Sequence, residues 1–213
     1  YLLLLHKESK QRNRFQSFLK DYLNVKHTCS SSNIPDCYDY YVIGSDQLFN
    51  LEITDGLDPV YSGKSINENG TKIIGFAISS NEESIKSIGN DEWYGIFKRF
   101  DAISFREQAL ADLLKKLYGK KVEVCLDPTI IADNNIWNNI KSKKKNIKDS
   151  VVLYEVRRNK GDERTLENKA NNLAKLLNSK VIILSKMEYT VEEWILYIKY
   201  AKCVITSSFH ASV

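Results

Sequence analysis

The sequence predicts an α/β protein built of two Rossmann-like domains with parallel sheets, the second of them incomplete. Three observations carry this. Short apolar, β-branched runs recur along the chain, from Tyr40–Ile43 to Cys203–Thr206. Segments of helical periodicity stand between most of them. A lysine-rich run, Lys141–Lys148, breaks the alternation and reads as an interdomain linker. The expected division is a domain at 1–140, a linker at 141–150 and a domain at 151–213.

Taken in order, Phe15, Phe18, Leu19, Tyr22 and Leu23 follow helical spacing and predict an amphipathic helix over Arg12–Leu23. A polar loop, Thr28–Asp39, precedes a buried strand at Tyr40–Ile43 that exits into Gly44-Ser45-Asp46-Gln47. Asn50–Gly70 is dense in turn signals, among them Asp55-Gly56, Asp58-Pro59, Ser62-Gly63 and Asn69-Gly70. Lys72–Ile78 is the second strand, after which Ser79-Ser80-Asn81 opens a polar helix. Ala102-Ile103-Ser104 is the third strand. The helix after it carries Leu110, Leu113, Leu114 and Leu117 on one face and stops at Gly119. Val122–Leu126 is a fourth strand, ended by Asp127-Pro128.

Beyond the linker come a strand at Val151–Val156 and a helix with Leu166, Ala170, Leu173, Ala174 and Leu177 on one face. A strand at Val181–Leu184 follows. Thr190 and Glu193 have capping-box spacing for a helix that buries Trp194, Ile195 and Ile198. The last strand, Cys203–Thr206, runs into Ser207, Ser208 and His210, where a helix is due to begin. Both ends read as cut: the chain opens inside an apolar run with no Met and stops at Val213.

Composition narrows the function classes. In 213 residues, 43% hydrophobic and 11% aromatic, there is enough apolar material for a core, which excludes a disordered chain. Lysine and arginine number 31 against 27 acidic residues, a formal charge of +4. That is too slight to imply nucleic acid, and it suits a small anionic substrate. Cys29 and Cys37 lie in polar loops, Cys125 and Cys203 in apolar runs, and no CxxC spacing occurs. Neither a zinc site nor a disulfide framework is indicated, and a reducing cytosol is expected. His6 and His27 have no partners at telling spacings. Leu2–Leu5 is too short to span a bilayer, and the N-terminus lacks the pattern of a signal peptide. There is no G-x-G-x-x-G, Walker A, G-x-S-x-G or His/Cys metal spacing.

The candidate site residues all follow strands, the edge at which open α/β sheets bind ligands. In Ser104-Phe105-Arg106-Glu107, Ser104 and Glu107 have the spacing of a capping box. Arg106 would then sit in the first helical turn against the dipole, which suggests an anion for its guanidinium to meet. Gly44–Gln47 is either a tight turn capped by Asp46 or a pair of polar side chains for sugar hydroxyls and base chemistry. Asp127 either bonds the backbone N–H groups after it or lines an interdomain cleft. At the end of the chain, His210 stands at a strand mouth suited to anions.

In their order and spacing, Gly44–Gln47 (GSDQ), Ser104–Glu107 (SFRE), Leu126–Thr129 (LDPT) and Ser207–His210 (SSFH) resemble the polysaccharide pyruvyl transferase family. The run VITSSFHAS is similar to that family's strand followed by Ser-Phe-His-Gly. Three positions depart from its pattern: Phe49 stands where Trp is usual before Asn50, Ala211 replaces glycine, and Ser208 stands where some members carry Arg. The resemblance implies a fold like the GT-B glycosyltransferases, with a cleft between two domains. It also implies transfer of the enolpyruvyl unit of phosphoenolpyruvate to a sugar, forming a pyruvate ketal in surface polysaccharide biosynthesis. On this reading His210 and Asp46 are catalytic, as acid or phosphate partner and as acceptor-side base. Arg106, Ser207, Ser208, Gln47 and Asp127 bind substrate. No metal or cofactor is needed beyond the donor phosphoenolpyruvate. The partners are that donor and a saccharide acceptor, free or lipid-linked, with no nucleic acid and at most peripheral membrane contact. The expected location is the cytoplasm, or peripheral at the inner face of the membrane; the lysine run reads first as a solvated linker, and attraction to an anionic membrane surface is its lesser reading. Two rivals are a GT-B-type glycosyltransferase using a nucleotide sugar and a saccharide-binding protein with a decayed site.

Overall fold

The computed structural model describes residues 2–23, 29–67, 70–119, 122–140, 148–156, 165–186 and 189–213. Most of the expected linker (141–147), His27 and Asn69 lie outside the described residues. The chain forms two compact units, His27–Ile131 and Tyr1–Lys26 together with Ala132–Val213. The N-terminal helix α1 (Leu2–Tyr22) therefore groups with the C-terminal segment, a different grouping from a division at 141–150.

The unit His27–Ile131 holds a four-stranded parallel sheet in the order β1-β2-β3-β4, formed by Tyr40–Ile43, Lys72–Ile78, Ala102–Phe105 and Glu123–Val124. Tyr40 pairs with Lys72, Ile74 with Ala102 and Ser104 with Glu123. The expected strands appear, with two corrections. β1 is an edge strand with Tyr40 and Val42 exposed on one face and Ile43 buried on the other, so it is not the buried strand its composition suggests. The fourth strand shrinks to Glu123–Val124, both exposed at the other edge. The turn-rich stretch also contains one short helix, α2 (Leu51–Thr54), capped by Asn50.

Four further helices connect or follow these strands: α3 (Glu82–Ser87), α4 (Asn90–Arg99), α5 (Gln108–Tyr118) and α6 (Pro128–Ile131). Asn81 caps α3, as the run of small polar residues suggests. Gly119 ends α5 in the left-handed conformation, with its N–H bonded to Lys115 O. The core between sheet and helices centres on Trp93, Phe49, Phe97 and Phe105. Trp93 is fully buried, stacks on Phe97 at 5.3 Å and meets Phe49 edge-on at 5.4 Å. Its indole N–H is satisfied by Ile85 O at 2.9 Å, so the large ring is buried without an orphaned donor. Phe49, where the family usually has Trp, is wholly buried in this cluster. Its contribution is apolar burial, about 1.5–3 kcal/mol for a side chain of this kind.

The other unit contains α1, α7 (Asn134–Asn138), β5 (Val151–Tyr154), α8 (Thr165–Leu176), β6 (Val181–Ile183), α9 (Val191–Lys199) and β7 (Cys203–Thr206). A short 3-10 turn, Leu184–Lys186, follows β6. The three strands are parallel in the order β6-β5-β7. Central β5 is buried at Val151, Val152 and Leu153, which explains its continuous apolar run. Ala170 and Ala174 of α8 pack on one side, and Leu196 and Tyr197 of α9 belong to a second cluster with Ile140. Trp194, Ile195 and Ile198, expected to be buried, only pack partly against that cluster. The capping box of α9 is present: Glu193 N donates to Thr190 Oγ1 at 3.2 Å, and Thr190 N donates to Glu193 Oε2 at 3.1 Å. The chain after Thr206 forms a turn at 210–212 rather than the start of a helix.

Candidate functional site

Parallel strands deliver their carboxyl ends to one edge of a sheet. In the unit His27–Ile131 that edge gathers Ser45, Asp46 and Gln47 after β1, Ser79 after β2, Arg106 and Glu107 after β3, and Asp127 after β4. Backbone bonds run past the strands and fix the loops: Ser79 N donates to Asp46 O at 2.8 Å and Arg106 N to Ile78 O at 3.1 Å. The register between β2 and β3 shifts between Gly75 and Ile78, and Ala77 adopts a positive φ of 52° there. Such bulges re-aim backbone groups beside sites. Here Ala77 N donates to Ser104 Oγ (3.0 Å), and Ala77 O accepts from Ser45 Oγ (2.8 Å).

These contacts correct the capping-box expectation. Ser104 lies inside β3 and serves the bulge, also accepting from Cys125 Sγ at 3.0 Å. Helix α5 starts three residues later than the box requires, with Glu107 itself at the N-cap and no side-chain cap bond. Glu107 Oε1 instead accepts from Ser79 Oγ at 2.6 Å. Arg106 therefore precedes the helix and is not a first-turn cation opposing a dipole.

What holds Arg106 is a set of carboxylates. Its Nη1 donates to Asp127 Oδ2 at 2.5 Å and its Nη2 reaches Asp46 Oδ1 at 3.4 Å. Nε lies 4.0 Å from Glu107 Oε1. The Asp127 side chain is 1% exposed, Arg106 is 12% exposed and Asp46 is 62% exposed. Asp127 Oδ1 accepts from Thr129 N at 2.9 Å and from Thr129 Oγ1 at 2.6 Å. Its Oδ2 also faces Ser45 Oγ at 3.0 Å. Burial pushes the Asp127 carboxyl upward, but the bonds from Thr129, Arg106 and Ser45 outweigh it and hold the group well below the usual carboxylate range. The backbone N–H bond expected after Asp127 is thus present. Gln47 is tied to its neighbour: its Oε1 accepts from Asn50 Nδ2 at 2.6 Å.

In the second unit the residues after β7 meet the end of β5. Thr206 Oγ1 donates to Tyr154 O at 2.7 Å, and Ser207 Oγ accepts from Val156 N at 3.1 Å. Ser208 N donates to Thr206 Oγ1 at 2.9 Å. His210 is exposed in the following turn, its ring edge-on to Phe209 at 5.4 Å. Because β5 is flanked by β6 on one side and β7 on the other, this is where the strand order reverses, the crevice that ligands favour in open sheets. Ala211 is buried and is not among the residues with positive φ, so its position does not need glycine's backbone freedom.

The structure thus brings Asp46, Arg106 and Asp127 into contact on one sheet edge, and places Ser207, Ser208 and His210 on the edge of the other sheet. Sequence reasoning missed Ser45 and Thr129. Thr129 was legible, since a serine or threonine two residues after an aspartate at a helix start is a common bonding partner. Ser45 was not, because its role depends on the bulge at Ala77. Among the described residues no cluster of three or more His, Cys, Asp or Glu could hold a metal ion, and no helix is long and apolar enough to cross a membrane.

The chain thus sets a guanidinium and carboxylates on one parallel-sheet edge and a histidine on another, at the strand ends where open α/β sheets bind ligands. The family is shown directly: the polysaccharide pyruvyl transferase model matches residues 3–213, and the chain belongs to that family. No curated protein and no solved structure matches it.

Proposed function

We propose that the protein transfers the enolpyruvyl unit of phosphoenolpyruvate to a saccharide, forming a pyruvate ketal. The observation that carries this reading is membership of the polysaccharide pyruvyl transferase family along residues 3–213. The residues are suited to the chemistry. Protonation of the donor's methylene carbon leaves an oxocarbenium-like C2. A sugar hydroxyl adds to C2 and gives up its proton, and the C2–O bond to phosphate then breaks. A second hydroxyl adds to C2, loses its proton and closes the ketal, with inorganic phosphate as the other product.

Each role needs a proton donor, an anion partner or a base, and none needs a redox centre. Arg106 is the anion partner for the donor carboxylate or phosphate. His210 is the acid, and its exposure leaves the imidazole accessible. Asp46, more exposed than Glu107 or Asp127 beside the same guanidinium, is the base for an acceptor hydroxyl. Gln47, Ser207 and Ser208 supply hydrogen bonds, and Asp127 acts on substrate through Arg106. The acceptor is a free or lipid-linked saccharide, met in the cytoplasm or at the inner face of the membrane.

The test is a phosphate-release assay with phosphoenolpyruvate and a panel of nitrophenyl and lipid-linked sugars, alongside thermal shifts with phosphoenolpyruvate and with a nucleoside diphosphate. Acceptor-dependent phosphate release, with stabilisation by phosphoenolpyruvate alone, is expected. Stabilisation by the nucleoside diphosphate alone would replace this reading with a nucleotide-sugar glycosyltransferase.

A further inference from the structure

Two of the carboxylates on Arg106 differ in every physical respect. Asp127 is buried, lies 2.5 Å from Nη1 and is itself pinned by Thr129 and Ser45. Asp46 is 62% exposed and lies 3.4 Å from Nη2. A contact of that length with an exposed carboxylate is weak and easily exchanged for another anion. A short contact to a buried, immobilised carboxylate is not.

We infer that Asp127 is a positioning residue that keeps Arg106 aimed along the sheet edge, and that Asp46 is a placeholder whose carboxylate is displaced from Arg106 when the donor's anionic group binds. The inference rests on phosphoenolpyruvate being the donor. It gives the two aspartates opposite effects on donor affinity. Asp46 competes with the donor for one arm of the guanidinium, so losing its charge favours binding. Asp127 pre-orders a long side chain, so losing its grip returns rotamer freedom that the donor must then freeze. Thr129 acts in the same direction as Asp127, one bond further back.

Calorimetric titration of phosphoenolpyruvate, inorganic phosphate and pyruvate into the wild type, Asp46→Asn, Asp127→Asn and Thr129→Val tests this. Reading binding rather than turnover separates the placeholder role of Asp46 from its role as base. Asp46→Asn is expected to bind phosphoenolpyruvate about two- to fivefold more tightly, the scale of an exposed ion pair. Asp127→Asn is expected to bind it about ten- to a hundredfold more weakly, the scale of a charged hydrogen bond. Thr129→Val weakens binding about threefold or more, and Thr129→Ser restores it. If Asp127→Asn does not fold, the threonine pair still decides the positioning role.

Shifts of the same sign in the two aspartate variants, or Thr129→Val binding as wild type, would overturn the inference while leaving the donor assignment intact. A wild type that binds none of the three ligands overturns both.

Discussion

Replacing Arg106 with alanine tests whether the guanidinium is part of the fold or an ornament on a helix. Read as a first-turn cation, Arg106 opposes the helix dipole, and its removal leaves stability unchanged or slightly improved. The structure predicts the reverse. Asp127 is 1% exposed, and without Arg106 its charge loses its guanidinium partner while keeping the bonds from Thr129 and Ser45. Breaking a buried pair costs about 3–5 kcal/mol, and the surviving donors put Arg106→Ala near the lower end, at about 3 kcal/mol. At about 2–4 °C per kcal/mol for a chain of this size, Tm falls by roughly 6–12 °C. The loss depends on pH. Asp127 has a folded pKa below its unfolded value, so its stabilisation is complete above the ordinary carboxylate pKa of about 3.9 and declines as pH falls beneath it. Removing Arg106 raises the folded pKa, so the gap between wild type and variant is widest at neutral pH and narrows on acidification. Thermal unfolding at pH 7 and near pH 2, with the double variant Arg106→Ala/Asp127→Asn closing the cycle, measures this. An unchanged or raised Tm at pH 7 would refute the buried-pair argument.

Two other changes probe the frame around the site. A Cβ on Gly44 would lie 1.9 Å from Phe76 O, at a φ of 145°, so Gly44→Ala meets backbone that cannot move aside. Gly56→Ala has a φ of 102° and no neighbour within 4 Å, so it carries only conformational strain, about 1–3 kcal/mol. Gly44→Ala should be clearly the less stable of the two in urea unfolding, and equal midpoints would show that the strand exit relaxes around the methyl. In the other unit, Thr190→Ala removes one half of the α9 capping box and should cost about 1 kcal/mol, with Thr190→Ser recovering most of it. An unchanged urea midpoint would mean that the end of α9 is held by packing alone.

The strands were legible in the sequence because β-branched apolar runs between polar turns leave few alternatives, and β1, β2 and β7 match their expected ranges. What periodicity could not show is which strands stand at an edge. Tyr40–Ile43 has the composition of an interior strand, yet it stands at the sheet edge beside β2 and leaves Tyr40 and Val42 on an exposed face. The site residues were legible as residues that follow strands, since that placement depends on local sequence. Their contacts were not. Arg106 meets Asp46 and Asp127 across 60 and 21 positions of chain, and no spacing rule reaches that far. The capping-box motif misled for a related reason. Ser104 is needed by the bulge at Ala77, a tertiary demand that overrides a local match.

The three departures from the family pattern do not bear equally on the chemistry. Phe49 is wholly buried beside Trp93, so exchanging a tryptophan for it alters packing volume in the core and leaves the polar edge as it is. Ala211 is buried with a backbone that does not call for glycine, so its methyl group sits in an ordinary conformation. Neither change removes a charge or a donor from a strand end, and neither supports a decayed site. Ser208 is different in kind. Where an arginine would add a full positive charge beside His210, serine adds only a hydroxyl, and its N–H is committed to Thr206 Oγ1. Around Arg106, Asp46, Glu107 and Asp127 supply three carboxylates to one guanidinium, so that edge holds no surplus of positive charge to make up the difference. An anionic donor can gain there by displacing a weakly held carboxylate more readily than by meeting a bare cation. If phosphoenolpyruvate is the donor, as we propose, its recognition rests on the exchange at Asp46.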